Sequence, residues 1–324
     1  MIAFLKLIRW KNVLIVAITM FAMKYAVIAP IYKIYAVDFG LSDIGFMFLV
    51  AASMFLMAGG NVINDYFDRK TDMINRPKRV LVGFSVKRRK VMLTHLLMNV
   101  LAVFCGFVAA YYTGKLWLGL LFIFVSLLLW VYSAELKRKI FIGNFVVALL
   151  TGLIPFLVAV TEYYAFERSI LAWTMDSIHA VKISFQTICG FAVFAFLFNI
   201  IREIIKDCED YEGDIATGVK SIPVVFGKKK ANYLISSLTF FSIILILFIW
   251  HFYLSKLMFF NNDVFSMFYI YSMIIFPALI IALSSLWGTS KKKYSNLSKL
   301  TKFIMITGVI YSIVFSMIIN GSIK

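Results

Sequence analysis

The sequence predicts an all-α membrane protein that crosses the bilayer many times, and composition and apolar segments carry this prediction. Of the 324 residues, 62% are apolar and 15% are charged, with a mean hydropathy of +0.90. Soluble domains contain about 45–50% apolar and about 25% charged residues. A helix needs about 20 apolar residues to cross the hydrocarbon core of a bilayer, and nine segments approach that length. Residues 1–324 are therefore predicted to form a single transmembrane domain.

The nine apolar segments follow one another along the chain, and each is predicted to form one transmembrane helix. Pro155 and Pro277 lie inside two of them, which membrane helices tolerate when neighbouring groups satisfy the freed backbone. The basic stretch MIAFLKLIRWKN precedes a long apolar run without a small-residue cleavage site, so the run is interpreted as the first span. The predicted spans are Val13–Tyr35, Ile44–Ile63, Val91–Tyr112, Leu116–Ser133, Ile142–Val160, Ile183–Ile201, Ala231–Leu254, Phe265–Trp287 and Phe303–Ile319.

The basic residues are distributed unevenly between the two ends of the predicted spans. If the N-terminus is cytoplasmic, the N-terminal arm and the loops after spans two, four, six and eight hold 26 of the 33 Lys and Arg residues. The positive-inside rule then predicts a cytoplasmic N-terminus and a C-terminus on the opposite side. The net charge of +17 is interpreted as an orientation signal and an attraction for anionic headgroups. Nucleic-acid binding is not expected.

Two aspartate-rich segments follow the second and the sixth predicted span, NDYFDRKTD at residues 64–72 and KDCEDYEGD at residues 206–214. In both segments the aspartates are separated by three and then four positions, which places them along one face of a helix. Four spans separate the segments, so both are predicted to be cytoplasmic. The aspartates are Asp65, Asp68 and Asp72 in the first motif and Asp207, Asp210 and Asp214 in the second.

Three carboxylates on one helix face repel each other and lose hydration beside a bilayer, so a cation is expected between them. Mg²⁺ prefers oxygen ligands and keeps water molecules that a phosphate can replace. Two such clusters facing each other would hold about two Mg²⁺ ions, and these would chelate a diphosphate. The three cysteines and three histidines have no metal-type spacing, so a zinc site is not expected. A solvated helix end is the alternative interpretation of either cluster alone.

Basic residues near the motifs are candidates for binding a diphosphate. Arginine forms bidentate contacts with phosphate, whereas lysine acts as a point charge. The same residues also serve as orientation signals, which is the alternative interpretation of each one. The candidates are Arg76, Arg79, Lys137, Arg138, Lys206 and Lys220, together with Arg9 and Asn12 at the start of the first span.

A constant shift of 142 positions superimposes the aspartates of the first motif on those of the second. The same shift places residues 86–88 on the basic residues 228–230. This predicts a distant internal duplication of a four-span unit within the single domain, a common plan in membrane proteins. A shared functional need is the alternative explanation.

The stretches NDYFDRKTDMINRPKR and REIIKDCEDYEGDIATGVKSIPVVFGKKKA resemble the UbiA superfamily of intramembrane prenyltransferases. RWKN near the start and YSAELKRKIFIGN after span four are similar to it as well. The resemblance implies nine helices around a central cavity with a cytoplasmic cap, and Mg²⁺-dependent transfer of a prenyl group from a polyprenyl diphosphate. It also implies two metal sites and a set of catalytic carboxylates, with Asp65 in the motif but without an assigned role. The implied ligands are Asn64, Asp68 and Asp72 for one metal and Asp207, Asp210 and Asp214 for the other, with Asp68, Asp72, Asp210 and Asp214 catalytic.

The run REIIKDCEDYEGD followed by GVKSIPVVFG is most similar to the digeranylgeranylglyceryl phosphate synthase-like branch of this family. This similarity implies a lipophilic acceptor, a glycerol phosphate lipid whose hydroxyl receives the prenyl group. Prenylation of an aromatic acceptor such as 4-hydroxybenzoate or dihydroxynaphthoate is an alternative. From other classes, a cation-coupled secondary transporter and a non-catalytic membrane scaffold stay open, although transporter sites lie nearer the bilayer midplane than these motifs do.

Overall fold

The computed structural model describes residues 2–38, 40–169, 173–257, 260 and 263–321, without the side chains of Ile2 and Arg79. In these residues the regular structure is helical, apart from an isolated β-bridge between Val82 and Val86. Eight of the helices are long and apolar enough to cross a membrane, and Leu118–Ala134 is a shorter apolar helix of 17 residues. The predicted all-α fold with nine membrane helices is confirmed.

Short helices at the predicted cytoplasmic end interrupt the series of long spans. Helices α1 to α6 are Ile2–Leu7, Trp10–Ile34, Asp43–Phe67, Arg69–Asn75, Arg88–Thr113 and Leu118–Ala134. Helices α7 to α13 are Ile142–Glu167, Met175–Glu209, Tyr211–Thr217, Ile222–Phe226, Lys228–Phe252, Val264–Leu286 and Lys291–Gly321. Helix α2 contains a π-helical segment at Ala22–Ile28, and α12 contains another at Tyr271–Ile275.

Two helices extend far beyond the apolar segments that predicted them. Helix α8 has 35 residues and α13 has 31, whereas the predicted spans were Ile183–Ile201 and Phe303–Ile319. The difference arises because an apolar segment marks only the part of a helix that lies in hydrocarbon, and a helix that continues into water becomes polar. At 1.5 Å per residue, α8 is about 50 Å long. Its polar extension carries Asp207 of the second motif.

Each aspartate motif is divided between two helices. Helix α3 ends at Phe67 and α4 begins at Arg69, with Asp68 between them. Helix α8 ends at Glu209 and α9 begins at Tyr211, with Asp210 between them. The φ and ψ angles are −76° and −6° at Asp68 and −94° and 8° at Asp210, at the edge of the helical region. The expectation of one continuous helical face is therefore wrong at the central aspartate of each motif.

Packing of the long helices places the ends of α3 and α8 beside each other. Helix α3 packs against α2, α5 and α6, while α8 packs against α7, α11 and α13. One apolar core, with Met20 and Phe46 fully buried, joins α2, α3 and their neighbours. A second core, with Phe198 and Tyr294 fully buried, joins α8, α11, α12 and α13. The short helices α4 and α9 contact each other directly at the ends of this bundle.

A buried ion pair joins α2 to α7 at the end of the bundle opposite the motifs. Lys24 Nζ lies 3.1 Å from Glu162 Oε1, and both side chains are buried. Glu162 Oε2 also accepts a hydrogen bond of 2.9 Å from the backbone N–H of Leu41. A charge at this depth is costly unless it is paired, so these contacts hold the loop before α3 against the two spans.

Candidate active site

Helices α4 and α9 form a direct bridge between the two aspartate motifs. The Asn75 amide donates to the backbone carbonyl of Asp210 at 3.2 Å and accepts from the backbone N–H of Gly213 at 3.1 Å. The hydroxyls of Thr71 and Thr217 lie 3.1 Å apart. A Cβ atom at Gly213 would lie 2.3 Å from Asn75 Nδ2, so this approach requires glycine. The structure thus brings the two motifs together in one site.

Arg76, four residues after the first motif, contacts the central aspartate of the second. Its Nη2 donates to both carboxylate oxygens of Asp210, at 3.0 and 3.1 Å, and lies 3.6 Å from Glu209 Oε1. Burial nevertheless raises the pKa of Asp210 above its ordinary value, because the Arg76 charge offsets this effect only in part. The predicted diphosphate ligand Arg76 therefore neutralises a predicted metal ligand in this structure.

Nitrogen donors hold two acids of the first motif, Asp65 and Asp68. Arg9, in a left-handed conformation before α2, lies 2.6 Å from Asp65 Oδ1. Lys137 Nζ forms an ion pair with Asp68 and lies 3.2 Å from Asn64 Oδ1, and Asn64 Nδ2 donates to Asp68 Oδ2 at 2.7 Å. Burial acts to lower the pKa of Lys137, but the Asp68 carboxylate raises it overall. A lysine thus occupies the position where the sequence predicts a metal.

The second motif contains a partner that the sequence analysis did not identify. Asn144 Nδ2 donates to Asp207 Oδ2 at 2.8 Å. Asn144 lies in the stretch IFIGN, which belongs to the resemblance but gives no indication of its contact. Lys206 does not contact the aspartates through an ion pair; its Nζ lies 2.7 Å from Glu203 Oε1, which also accepts from Arg202 at 3.1 Å.

The last aspartate of each motif has no cationic partner, and Asp72 is half-buried while Asp214 is buried. In the described part of the chain, neither Asp72 nor Asp214 has a basic side chain within ion-pair distance. Burial, reinforced by the Asp68 charge, raises the pKa of Asp72 to about 6. Burial, together with the Asp210 charge, likewise raises the pKa of Asp214 to about 6. At the junction of the two motifs, where α4 contacts α9, both carboxylates therefore lack a direct cationic contact.

These donors fit the chemistry of a hard divalent cation. Carboxylate and amide oxygens are the ligands that Mg²⁺ prefers, and buried unpaired carboxylates require a compensating charge. Among the described residues, no three histidine, cysteine or acidic side chains come close enough to bind one ion together. The ion pairs explain this, because Arg9, Lys137 and Arg76 each hold one of the acids.

The remaining predicted residues lie at the edge of the site. Arg138 and Lys220 are exposed, and the Lys220 N–H donates to the Arg138 carbonyl at 3.1 Å, which fastens the two loops. Asn12 is half-buried at the start of α2. The side chain of Arg79 lies outside the described residues.

An apolar cavity lies between α8, α11, α12 and α13. Aromatic side chains form much of its wall, and Leu197 is its nearest wall residue to the motif along α8. Leu197 precedes Asp207 by ten residues, which corresponds to roughly 15 Å along the helix. The aromatic wall residues are Phe191, Phe194, Trp250, Tyr253, Tyr311 and Phe315.

Comparison with known proteins identifies the family. The sequence profile of the UbiA prenyltransferase family matches residues 26–305. Over 195 residues the chain is 38% identical to digeranylgeranylglyceryl phosphate synthase from Thermococcus kodakarensis, covering 60% of this chain and 61% of that protein. The match thus spans less than two thirds of this relative's length.

Solved structures show the same fold. A structure of a digeranylgeranylglyceryl phosphate synthase has a TM-score of 0.63 and 24% identity, covering 97% of both chains. A UbiA homologue from Archaeoglobus fulgidus bound to GPP and Mg²⁺ has a TM-score of 0.52 and 18% identity, covering 96% of this chain and 99% of that one. At these identities the structures bear on the fold alone. With the profile match over most of its length and its multi-pass helical bundle, the chain belongs to the UbiA prenyltransferase family.

Proposed function

We propose that this protein transfers a prenyl group from a polyprenyl diphosphate to a hydroxyl of a glycerol phosphate lipid, in a reaction that requires Mg²⁺. The observation that carries the proposal is the junction of the two motifs, where the half-buried Asp72 and the buried Asp214 have no cationic partner within ion-pair distance. The product named in its relatives, digeranylgeranylglyceryl phosphate, supports the choice of acceptor. The site and the N-terminus face the cytoplasm in this proposal, and the C-terminus lies on the opposite side.

The motif residues bind the metal and the basic residues bind the diphosphate. Two Mg²⁺ ions, one for each motif, would supply positive charge to the departing diphosphate. A UbiA homologue from Archaeoglobus fulgidus has been solved with GPP and Mg²⁺. Lys137 and Arg76 now neutralise Asp68 and Asp210. If those carboxylates held a metal instead, the ammonium and guanidinium groups would be free to bind diphosphate oxygens. The metal ligands are Asn64, Asp68, Asp72, Asp207, Asp210 and Asp214.

The apolar interior protects the reacting carbon. The prenyl tail lies among the spans, where exclusion of water prevents quenching of the allylic cation, and aromatic faces stabilise that charge. The bond between the allylic carbon and the diphosphate oxygen breaks, and the acceptor oxygen forms the new bond to that carbon. The acceptor proton passes to the released diphosphate or to a motif carboxylate.

The test offers the purified protein, in neutral detergent, a panel of prenyl diphosphates and acceptors. The acceptors are a prenylglyceryl phosphate, 4-hydroxybenzoate and dihydroxynaphthoate, and mass spectrometry identifies the products. We expect an ether product from the glycerol phosphate lipid, formed only with Mg²⁺. Transfer to an aromatic acceptor alone would contradict the proposed acceptor. Cation-coupled flux into proteoliposomes without diphosphate release would contradict the enzyme itself.

The apolar cavity provides a separate test of where the prenyl tail binds. A Cβ atom added at Gly190 would have no neighbour within 4 Å, and Gly190 lines the cavity. A Gly190→Phe variant should therefore fold and fill the cavity, and shorter donors should become preferred. The Gly190→Ala variant is the control and should retain the wild-type preference. Equal preferences in both variants would place the tail elsewhere.

A further inference from the structure

A second cavity, with a volume of about 560 Å³, opens beside Arg76 at the predicted cytoplasmic end. Ligand pockets typically occupy about 300–1,000 Å³. Six basic residues and one acid, Glu209, line the cavity. We call it the basic cavity, and its basic residues are Arg76, Lys78, Arg202, Lys206, Lys291 and Lys299.

Two facing helices form the walls of the basic cavity. On α8, Arg202, Lys206 and Glu209 recur at intervals of four and three residues, which places them on one helix face. On α13, the same intervals of four and three residues separate Lys291, Ser295 and Ser298, so these side chains also share one helix face. The turn at residues 75–78 completes the lining. Lys291 also begins α13, where the helix dipole adds positive potential.

The cations of the basic cavity are only partly neutralised. Arg76 is paired with Asp210, and Arg202 and Lys206 share Glu203. In the described part of the chain, Lys78, Lys291 and Lys299 have no acidic group within ion-pair distance. The buried Nε of Arg202 also lacks a hydrogen-bond partner. The cavity thus has an excess of positive charge, whereas Asp72 and Asp214 at the neighbouring junction have no ion-pair partner.

We propose that the basic cavity binds the phosphate monoester of the acceptor lipid, an inference that rests on the proposed function. The donor diphosphate requires the acidic, metal-binding junction, whereas a phosphate monoester without a metal requires basic and hydroxyl donors. Arg76 borders both regions, since it contacts Asp210 and lines the cavity. In a glycerol phosphate only a few bonds separate phosphorus from the reacting hydroxyl. A phosphate held beside Arg76 therefore keeps that hydroxyl next to the donor.

The test compares a double variant, Lys291→Gln with Lys299→Gln, with the wild type on two acceptors. One acceptor is a prenylglyceryl phosphate, and the other is the same prenylglycerol without its phosphate. We expect the KM for the phosphorylated acceptor to rise about tenfold or more, because charge-assisted hydrogen bonds are lost. The KM for the donor and the rate with the unphosphorylated acceptor should stay unchanged. The matched control is Lys292→Gln, an exposed lysine of the same helix outside the cavity, which should behave as wild type.

Competition by soluble glycerol phosphate gives a second measurement. It should inhibit the wild type competitively against the acceptor but not against the donor, and its inhibition constant should rise in the double variant. Equal losses with both acceptors, or a raised KM for the donor alone, would overturn the inference. An effect that appears only when anionic bilayer lipid is added would also overturn it, because the cavity would then bind bulk headgroups. A wild-type protein that prenylates neither acceptor would instead overturn the proposed function itself.

Discussion

The two aspartate motifs have the same spacing and break at the same position, yet their acids are neutralised in different ways. In the first motif, Asp68 is paired with Lys137, a residue from outside both motifs. In the second, Asp210 is paired with Arg76, which follows the first motif by four residues. The second motif thus depends on the segment after the first motif for its charge balance. The comparison indicates one composite site rather than two independent metal sites.

The largest expected effect concerns the acids that are alike in both motifs. Neither the half-buried Asp72 nor the buried Asp214 is in an ion pair, so Asp72→Asn and Asp214→Asn should each remove a charge needed for metal binding. We expect prenyl transfer to fall about 100-fold or more in each variant, measured as turnover at saturating Mg²⁺. Asp176→Asn, at an exposed position at the start of α8, is the control. A large loss in only one of the two variants would show that the motifs are not equivalent.

The next prediction compares a cation that pairs with an acid, Lys137 with Asp68, with a neutral amide that binds one, Asn144 with Asp207. Lys137→Gln removes a cation that the donor diphosphate requires, so the KM for the donor should rise about tenfold. Asn144→Leu removes only the amide that orients Asp207, so the donor KM should stay unchanged while half-saturation by Mg²⁺ shifts to higher concentrations. Kinetic titrations of donor and metal measure both changes. The same pattern in both variants would argue against the difference between the motifs.

A smaller effect is expected from pH, and it follows from the pKa values of about 6 at Asp72 and Asp214. Mg²⁺ requires the ionised carboxylates, so its stabilising effect should be full well above pH 6 and should disappear as the pH falls through 6. Without metal, the stability of the folded protein should depend on pH in the opposite direction. Carboxylates with raised pKa values favour the folded state at low pH, and this contribution is lost as the pH rises through 6. Unfolding temperatures at pH 5 and 7.5, with and without Mg²⁺, measure this. Equal stabilisation by Mg²⁺ at both pH values would contradict the assignment.

The sequence predicted the spans and the presence of the site because both depend on patterns within single helices. Apolar length marks the spans, and matching gaps mark the motifs. The contacts within the site could not be predicted from the sequence, because they depend on tertiary packing. Asn144 and Asn75 are uncharged, so no charge pattern identified them, and Lys206 pairs with Glu203, three residues before it on the same helix. The helix breaks at Asp68 and Asp210 were likewise not predicted, because neither position has a helix-breaking residue such as proline or glycine.

The shift of 142 positions has a counterpart in the structure, although the duplication itself stays a prediction. It superimposes Arg69–Asn75 on Tyr211–Thr217, so the two short helices have equivalent bounds. The shift also maps Thr71 onto Gly213 and Asn75 onto Thr217. The contact between Thr71 and Thr217 is therefore equivalent to the contact between Gly213 and Asn75. Equivalent contacts formed by different side chains allow their contributions to be compared.

The smallest expected effect lies in this pair of contacts. Replacing both hydroxyls, with Thr71→Val and Thr217→Val together, leaves no polar side-chain atom without its partner. The free energy of unfolding should therefore change by less than about 0.5 kcal/mol. Asn75→Leu instead leaves the Gly213 N–H without its partner, whereas the Asp210 carbonyl still accepts from the backbone N–H of Asp214. This variant should cost about 1–3 kcal/mol. Unfolding of the variants in detergent measures the difference. If the double valine variant were the less stable of the two, the threonine contact, and not Asn75, would be the principal link between the motifs.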